Sequence, residues 1–139
     1  MNLSRVVKRV NRAKAIGIVY NIPKESLADF NMKYKNLITF DGKEVYNPTR
    51  LVIKLRQLYG LHSFSFNLLP ALIEDKLIVI QHADFICNSY NRVFSDFHQF
   101  KIPLLLLLND EKNMESIRNY KAYKSSFIIE SDYKVLKHN

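Results

Sequence analysis

Polar residues with possible chemical roles follow an apolar run in the second half of the chain. Residues 77–80 are Leu-Ile-Val-Ile, and Gln81, His82 and Asp84 come directly after them. A second apolar run, residues 104–108, follows after a helix-length segment, a pattern typical of neighbouring strands in a parallel sheet. Open α/β sheets bind ligands at the carboxyl ends of their strands. One hypothesis is therefore a small-molecule enzyme with His82 and Asp84 at its mouth. The alternative, which we favour, is that these two residues cap the following helix and contact solvent.

A second group of polar residues precedes the same apolar run. Glu74 and Lys76 form an acid–x–lysine triplet around Asp75, and Asp41 lies upstream. In metal-dependent nucleases, two carboxylates hold Mg²⁺ and a lysine orients the attacking water. A polar turn that leads into a strand would contain the same residue types. The sequence therefore leaves two interpretations open: a nuclease metal site and an ordinary turn.

The remaining metal- and thiol-chemistry signals are weak. The four histidines lack the spacing of a zinc motif. Cys87 is the single cysteine, which excludes an internal disulfide and favours a cytoplasmic protein. We expect its thiol to be buried and inert. No apolar run approaches the roughly 20 residues of a membrane span, and the N-terminus lacks the apolar core of a secretion signal.

The charge of the chain points to an anionic partner. The net charge is +8 over 139 residues. The N-terminal segment contributes five cations and no acid: Arg5, Lys8, Arg9, Arg12 and Lys14. Nucleic acid is the leading candidate partner, although basic faces also serve solubility alone. Residues 120–124, Tyr-Lys-Ala-Tyr-Lys, are the one segment in which aromatic and basic residues alternate as base stacking requires.

The elements that must position these residues alternate between strands and helices. Apolar runs predict strands at residues 15–20, 37–40, 77–80, 104–108 and 126–129. Helical spacing and cap residues predict helices at about 3–13, 26–34, 48–59, 67–74 and 88–100, and a last one from residue 110 or 113 to about 121. This alternation predicts one α/β domain over residues 1–139, with three layers and a mostly parallel sheet of about five strands. Residues 132–138 are expected to be a frayed end.

In this order, the segments resemble the core of AAA+ ATPases, and most nearly the Mu B-type transposition ATPases and related DNA-loading or clamp-loader proteins. Residues 12–20 resemble the lead-in to the family's first strand, and residues 47–60 the helix after its second strand. Residues 77–84 lie where the family has its Walker B strand followed by acid-acid-Ala-Asp. Asn109 falls where a polar residue senses the γ-phosphate. The resemblance covers roughly residues 10–130 and implies a P-loop NTPase-like fold.

The chain departs from that family where the chemistry occurs. The family's phosphate loop is rich in glycine and carries a lysine and a hydroxyl, whereas residues 21–26 are Asn-Ile-Pro-Lys-Glu-Ser. Gln81 and His82 replace the carboxylates that hold Mg²⁺ and activate water. What the resemblance leaves is a degenerate nucleotide site, made of Lys24, Ser26, Gln81, His82 and Asn109.

The sequence therefore predicts a non-catalytic AAA+-like accessory or assembly subunit associated with DNA or with an active ATPase. We expect no catalytic residues, no metal and no cofactor. The expected partners are nucleic acid, contacted by the basic N-terminal helix, and an ATPase or a second copy of the chain, with no membrane contact. The metal-dependent nuclease using Asp41, Glu74 and Lys76 is the alternative.

Overall fold

A computed structural model describes residues 3–22, 36–114 and 128–132 of the chain. Within these ranges the strands are β1 (Ile16–Tyr20), β2 (Leu37–Asp41), β3 (Leu77–Gln81), β4 (Leu104–Leu107) and β5 (Ile128–Asp132). The α-helices are α1 (Leu3–Ala13), α2 (Pro48–Tyr59), α3 (Leu69–Ile73) and α4 (Tyr90–Gln99). Short 3-10 helices lie at Phe66–Leu68, Ala83–Phe85 and Glu111–Met114.

The five strands form one sheet in the order β2-β3-β4-β1-β5. Every neighbouring pair is parallel. The central strands β3 and β4 are apolar and buried along almost their whole length, as expected of a parallel sheet covered on both faces. The predicted parallel α/β architecture is confirmed.

The two faces of the sheet carry separate apolar cores. On one face, α1 places Val6 and Val10 against a cluster that includes Val79 and Leu105. The opposite face receives side chains from α2, α3 and α4, which pack with alternate strand residues such as Ile80. Successive strand side chains point to opposite faces, so one set of strands supplies both cores. The domain has three layers.

The close approach of α1 to the sheet depends on Gly17 in β1. A Cβ atom at this position would lie 2.4 Å from Cγ2 of Val10 and 3.1 Å from Cδ1 of Leu105. Val10 is fully buried and has a β-branched side chain with few rotamers. The missing side chain at Gly17 therefore lets α1 lie directly on β1.

The ends of α2 follow the predicted cap residues. The Asn47 side chain accepts a hydrogen bond from the Arg50 N–H at 2.9 Å, and Pro48 occupies the first helical turn. Gly60 ends the helix in the left-handed conformation with φ of 64°, and its N–H donates to the Arg56 carbonyl. These local signals fix the orientation in which the chain enters α2 from β2.

The structure corrects the prediction for the last strand, and two predicted helices lie wholly or partly outside the described residues. The last strand extends to Asp132, beyond its predicted end at residue 129, because its pairing with β1 continues to Tyr20 opposite Asp132. Asp132 therefore belongs to the sheet and not to a frayed end. The predicted helix at residues 26–34, and residues 115–121 of the next predicted helix, lie outside the described residues.

Candidate functional site

Parallel pairing brings the carboxyl ends of β2, β3 and β4 to one edge of the sheet. Asp41 pairs with Gln81 across β2 and β3, and Ile80 pairs with Leu106 across β3 and β4. Asn109 follows β4 after Leu108, whose N–H donates to the Val19 carbonyl at 2.8 Å. This edge is the position at which open α/β sheets bind ligands.

His82 and Asn109 meet at this edge. The Asn109 side-chain nitrogen lies 3.2 Å from Nδ1 of His82. With the Asn109 amide as donor, Nδ1 of His82 is the acceptor. His82 has a left-handed backbone with φ of 53°, which directs the chain away from β3 into the next turn. Two residues of the predicted degenerate site are thus joined to each other.

Asp84 connects the turn after β3 to the loop after β4. Its Oδ1 accepts the Asn109 N–H at 2.8 Å. Its Oδ2 accepts the Asp110 N–H at 3.3 Å and the Asn113 side-chain amide at 2.7 Å. Three donors therefore converge on one carboxylate. Asp84 orders the strand ends, a role that its place in the sequence did not reveal.

Gln81 ends β3 against the turn that follows β2. Its carbonyl accepts the Gly42 N–H at 2.7 Å. A Cβ at Gly42 would lie 2.1 Å from the His82 carbonyl oxygen, so this turn requires glycine. Gln81 also lines a cavity of about 540 Å³ with Asp41 and the ion-paired Glu44 and Lys54. The two acids make this cavity a poor site for a triphosphate.

The residues that follow β3 differ from the acid pair that the resembled family has at this position. Gln81 and His82 stand at the end of β3, and neither supplies an anionic oxygen for Mg²⁺. In the described ranges, no cluster of three His, Cys, Asp or Glu residues is placed to hold a metal ion. Lys24 and Ser26, the other members of the predicted nucleotide site, lie outside the described residues.

The nuclease arrangement predicted from Asp41, Glu74 and Lys76 is wrong. Register pairs Leu37 with Leu77 and Asp41 with Gln81. Glu74 and Lys76 therefore lie before the amino end of β3, whereas Asp41 lies at the carboxyl end of β2. At about 3.3 Å per residue, the strand separates Asp41 from Lys76 by roughly 16 Å. Glu74 and Lys76 thus lie at one end of the strands and Asp41 at the other, so the three side chains do not form one site.

Basic residues of α1 form a stripe on the side of the helix that faces away from the sheet. The stripe consists of Arg5, Lys8, Arg9 and Arg12, all exposed. The buried residues of α1 are Leu3, Val6, Val7 and Val10. Both sets have the spacing i, i+3, i+4, i+7 and differ by two residues, or about 200° around the helix axis. The apolar stripe fixes the direction in which the basic stripe points.

The basic stripe has no acidic residue on its own helix. Near the end of α1, the Asn11 side-chain amide donates to the carbonyl of Asp75, an exposed acid, at 3.4 Å. In the described part of the chain, no salt bridge involves Lys8, Arg9 or Arg12. Lys14 follows the helix with φ of 53°, and its ammonium group lies 3.4 Å from the Asn11 side-chain oxygen. The predicted nucleic-acid residues are thus placed together, with Lys14 at the end of the stripe.

Cys87 is exposed, which corrects the expectation of a buried thiol. Its N–H donates to the Tyr46 carbonyl at 2.9 Å. Tyr90, three residues after Cys87, is buried in the core, and its hydroxyl donates to the Val45 carbonyl at 2.5 Å. Burial raises the pKa of Tyr90 far above its ordinary value of 10.0. These contacts fasten the segment after β3 to the segment after β2.

Two exposed aromatic–cation pairs lie near this edge, and the sequence did not predict either of them. Lys43 Nζ lies 5.3 Å from the ring centroid of Phe85, and Arg50 Cζ lies 5.7 Å from that of Tyr46. The four-residue spacing of Tyr46 and Arg50 spans a helix start and is a weak local signal. Phe85 and Lys43 are distant in sequence, so only the fold brings them together.

Comparison with known proteins yields structural neighbours alone. No protein-family model matches the chain, and no curated protein matches it in sequence. Among solved structures, it is similar to ORC2 of Aeropyrum pernix, determined as ADPNP–ADP complexes, with 13% identity and a TM-score of 0.59 over 93% of this chain and 45% of that one. It is also similar to Cdc6p of Pyrobaculum aerophilum, with 11% identity and a TM-score of 0.55 over 92% of this chain and 42% of that one.

This chain has an AAA+-like fold. The neighbours are P-loop AAA+ proteins, which confirms the predicted P-loop NTPase-like architecture. At such low identity the likeness shows the fold and nothing finer. The chain spans less than half the length of either neighbour. The narrower resemblance to Mu B-type ATPases remains a prediction. Among the residues that the structure describes, no helix is long and apolar enough to cross a membrane.

Proposed function

We propose that this chain is a non-hydrolysing AAA+-like accessory or assembly subunit that associates with DNA through α1. The observation that carries this proposal is the basic stripe of Arg5, Lys8, Arg9 and Arg12, held outward by an apolar stripe that is buried against the sheet. Like the non-hydrolysing members of clamp-loader assemblies, such a subunit would contribute binding surface rather than chemistry.

The stripe has dimensions that suit a phosphate backbone. Arg5 to Arg12 spans seven residues, or about 10 Å along the helix axis. Phosphates of one DNA strand recur about every 3.4 Å along the duplex axis, so a stripe of this length can reach several of them. Contacts of this kind position a protein without reading base sequence. The expected binding is therefore general and strongly weakened by salt.

The strand-end residues support the non-hydrolysing part of the proposal. Asn109, at the position of the phosphate sensor, bonds with His82. Asp84 accepts three hydrogen bonds from the protein itself. In the sequence of residues 21–26, the absence of glycine and the presence of Glu25 disfavour a triphosphate. We infer that neither Mg²⁺ nor a triphosphate is held in the manner hydrolysis requires.

Fluorescence anisotropy with a labelled DNA duplex tests the DNA association. We expect measurable affinity at low salt. With about four phosphate contacts, affinity falls on the order of 100-fold between 50 and 200 mM salt. Substituting Lys8, Arg9 and Arg12 together with Gln removes most of the stripe and should reduce both the affinity and the steepness of the salt dependence.

The matched control removes the same charge elsewhere. Arg92, Lys101 and Lys112 are exposed cations outside α1. Their combined substitution with Gln lowers the net charge by the same three units. The proposal requires the α1 variant to bind much more weakly than this control. Equal losses in the two variants would indicate non-specific attraction to a basic protein and would contradict a role for α1.

The second version of the proposed subunit docks on an active ATPase rather than on DNA. It is favoured by the exposed apolar residues Ile53 and Leu58 on α2, which are 38% and 54% exposed. Absence of salt-sensitive DNA binding in the anisotropy experiment would remove the DNA version and leave this one.

A further inference from the structure

We propose that Lys43, Tyr46, Arg50 and Phe85 form a stacking site for unpaired bases of single-stranded nucleic acid. We call these four residues the aromatic–cation patch. The patch lies on the segments that follow β2 and β3, with Arg50 in the first turn of α2, and none of its residues belongs to α1. It is therefore a separate surface from the basic stripe and is independent of the proposed DNA association.

Both rings of the patch are open to solvent. Tyr46 is 42% exposed and Phe85 is 51% exposed, whereas the nearby core aromatics Tyr90 and Phe94 are each 1% exposed. The fold therefore buries the core rings almost completely and leaves Tyr46 and Phe85 exposed to solvent. An exposed aromatic ring offers a π-face on which any base can stack, independent of base identity.

Each exposed ring has a cation over one of its faces, so a base would stack on the other face. Lys43 Nζ is 5.3 Å from the Phe85 centroid, and Arg50 Cζ is 5.7 Å from the Tyr46 centroid. Single-stranded nucleic acid presents alternating bases and phosphates, and proteins bind it by combining stacking rings with a positively charged surface. The nearby Glu44 forms an ion pair with Lys54 at 2.8 Å, which offsets its charge. The patch is complementary to an anionic chain that carries flat bases.

The two turns that carry the rings are fastened together. The Cys87 N–H donates to the Tyr46 carbonyl at 2.9 Å. The Tyr90 hydroxyl donates to the Val45 carbonyl at 2.5 Å, and both groups lie in the core. Asn47 caps the helix that carries Arg50. The backbone of both turns is therefore anchored before any ligand binds, which lowers the entropic cost of ordering the site.

The geometry favours unpaired over paired bases. In a duplex, base faces are already stacked on one another and present only their edges in the grooves. Exposed rings such as Tyr46 and Phe85 can stack on a base only after it leaves such a stack. We therefore assign single strands to this patch, while the basic stripe of α1 would bind phosphates of either form.

The test compares two labelled single strands of about 12 nucleotides, a length within the range that small single-strand sites cover. One is oligo-dT, and the other has the same sugar-phosphate backbone without bases. Fluorescence anisotropy of the full chain should show tighter binding to oligo-dT. Tyr46→Ala and Phe85→Ala should each weaken oligo-dT binding by about fivefold to 100-fold and leave the abasic strand unaffected.

Leu68→Ala serves as the matched control, because this side chain is also exposed, at 43%, and lies outside the patch. It should not change the preference for bases. Equal affinity of the intact chain for both strands would overturn the stacking site. So would an equal loss of oligo-dT binding in the patch variants and the control.

The outcome is separable from that of the α1 proposal. Removing Lys8, Arg9 and Arg12 should weaken oligo-dT and abasic binding by the same factor, because phosphates are common to both strands. Removing the rings should abolish only the difference between them. The stacking site can thus fail while the α1 association stands, and the reverse also holds.

Discussion

Asp84 illustrates how a polar residue at a strand end can serve the fold rather than a ligand. Its two oxygens accept hydrogen bonds from the Asn109 and Asp110 N–H groups and from the Asn113 amide. These donors lie on the loop after β4, whereas Asp84 lies on the short helix after β3. The carboxylate therefore links the two central strands at the edge where ligands would bind.

We predict that Asp84→Ala lowers the free energy of unfolding by about 2–3 kcal/mol, because three donors lose a charged acceptor. Urea denaturation followed by circular dichroism measures this change. Asp96→Ala is the control: Asp96 is also partly exposed, and the bond it accepts from Phe100 uses its backbone carbonyl. Its substitution should change stability by less than about 0.5 kcal/mol. Equal effects in both variants would refute the linking role of Asp84.

At the scale of elements, the packing of α1 on β1 determines where the basic stripe points. The helix lies directly over Gly17, with Val10 in the space that a side chain there would occupy. Any substituent at Gly17 must push α1 outward or displace Val10. The presentation of Arg5, Lys8, Arg9 and Arg12 to solvent thus depends on a glycine in the first strand.

We predict that Gly17→Ala destabilises the protein by about 1–3 kcal/mol through overpacking. In a Val10→Ala background, where space is available, the same substitution should cost much less, because contacting residues are energetically coupled. Urea unfolding of the four proteins in this double-mutant cycle gives the coupling. Additive effects would show that α1 does not rest on Gly17.

The sequence predicts these elements well where the signals are local. Apolar runs place β1 to β4, and Asn47, Pro48 and Gly60 mark the ends of α2 by their own backbone preferences. The extent of β5 was missed because pairing with β1, rather than the apolarity of the segment, sets its bounds. Local signals therefore define most elements but not their partners.

Predictions about the site were less accurate, because they depend on how neighbouring strands pair and in which register. Asp41 and Lys76 are both plausible metal-site residues in sequence, and only the pairing of β2 with β3 shows that they lie at opposite edges. The contact of His82 with Asn109 likewise follows from the adjacency of β3 and β4. Lys43 and Phe85 carry no shared local pattern. The sequence shows which residue types are present. Only the fold shows which of these residues contact one another.

At the scale of the whole molecule, the parallel sheet carries the two surfaces for which we propose nucleic-acid binding. The basic stripe lies on the helix that covers one face of the sheet, and the aromatic–cation patch lies on segments that follow β2 and β3 at its carboxyl edge. Because the two surfaces are separate, the proposals that rest on them can be tested independently.

Isothermal titration with ATP, in the presence and absence of Mg²⁺, tests the central claim most directly. Aeropyrum pernix ORC2, whose structure was determined as ADPNP–ADP complexes, is a suitable positive control for the same titration. We predict no magnesium-dependent heat of binding for this chain, because Gln81 and His82 offer the metal no carboxylate. Tight ATP binding that requires Mg²⁺ would contradict the account.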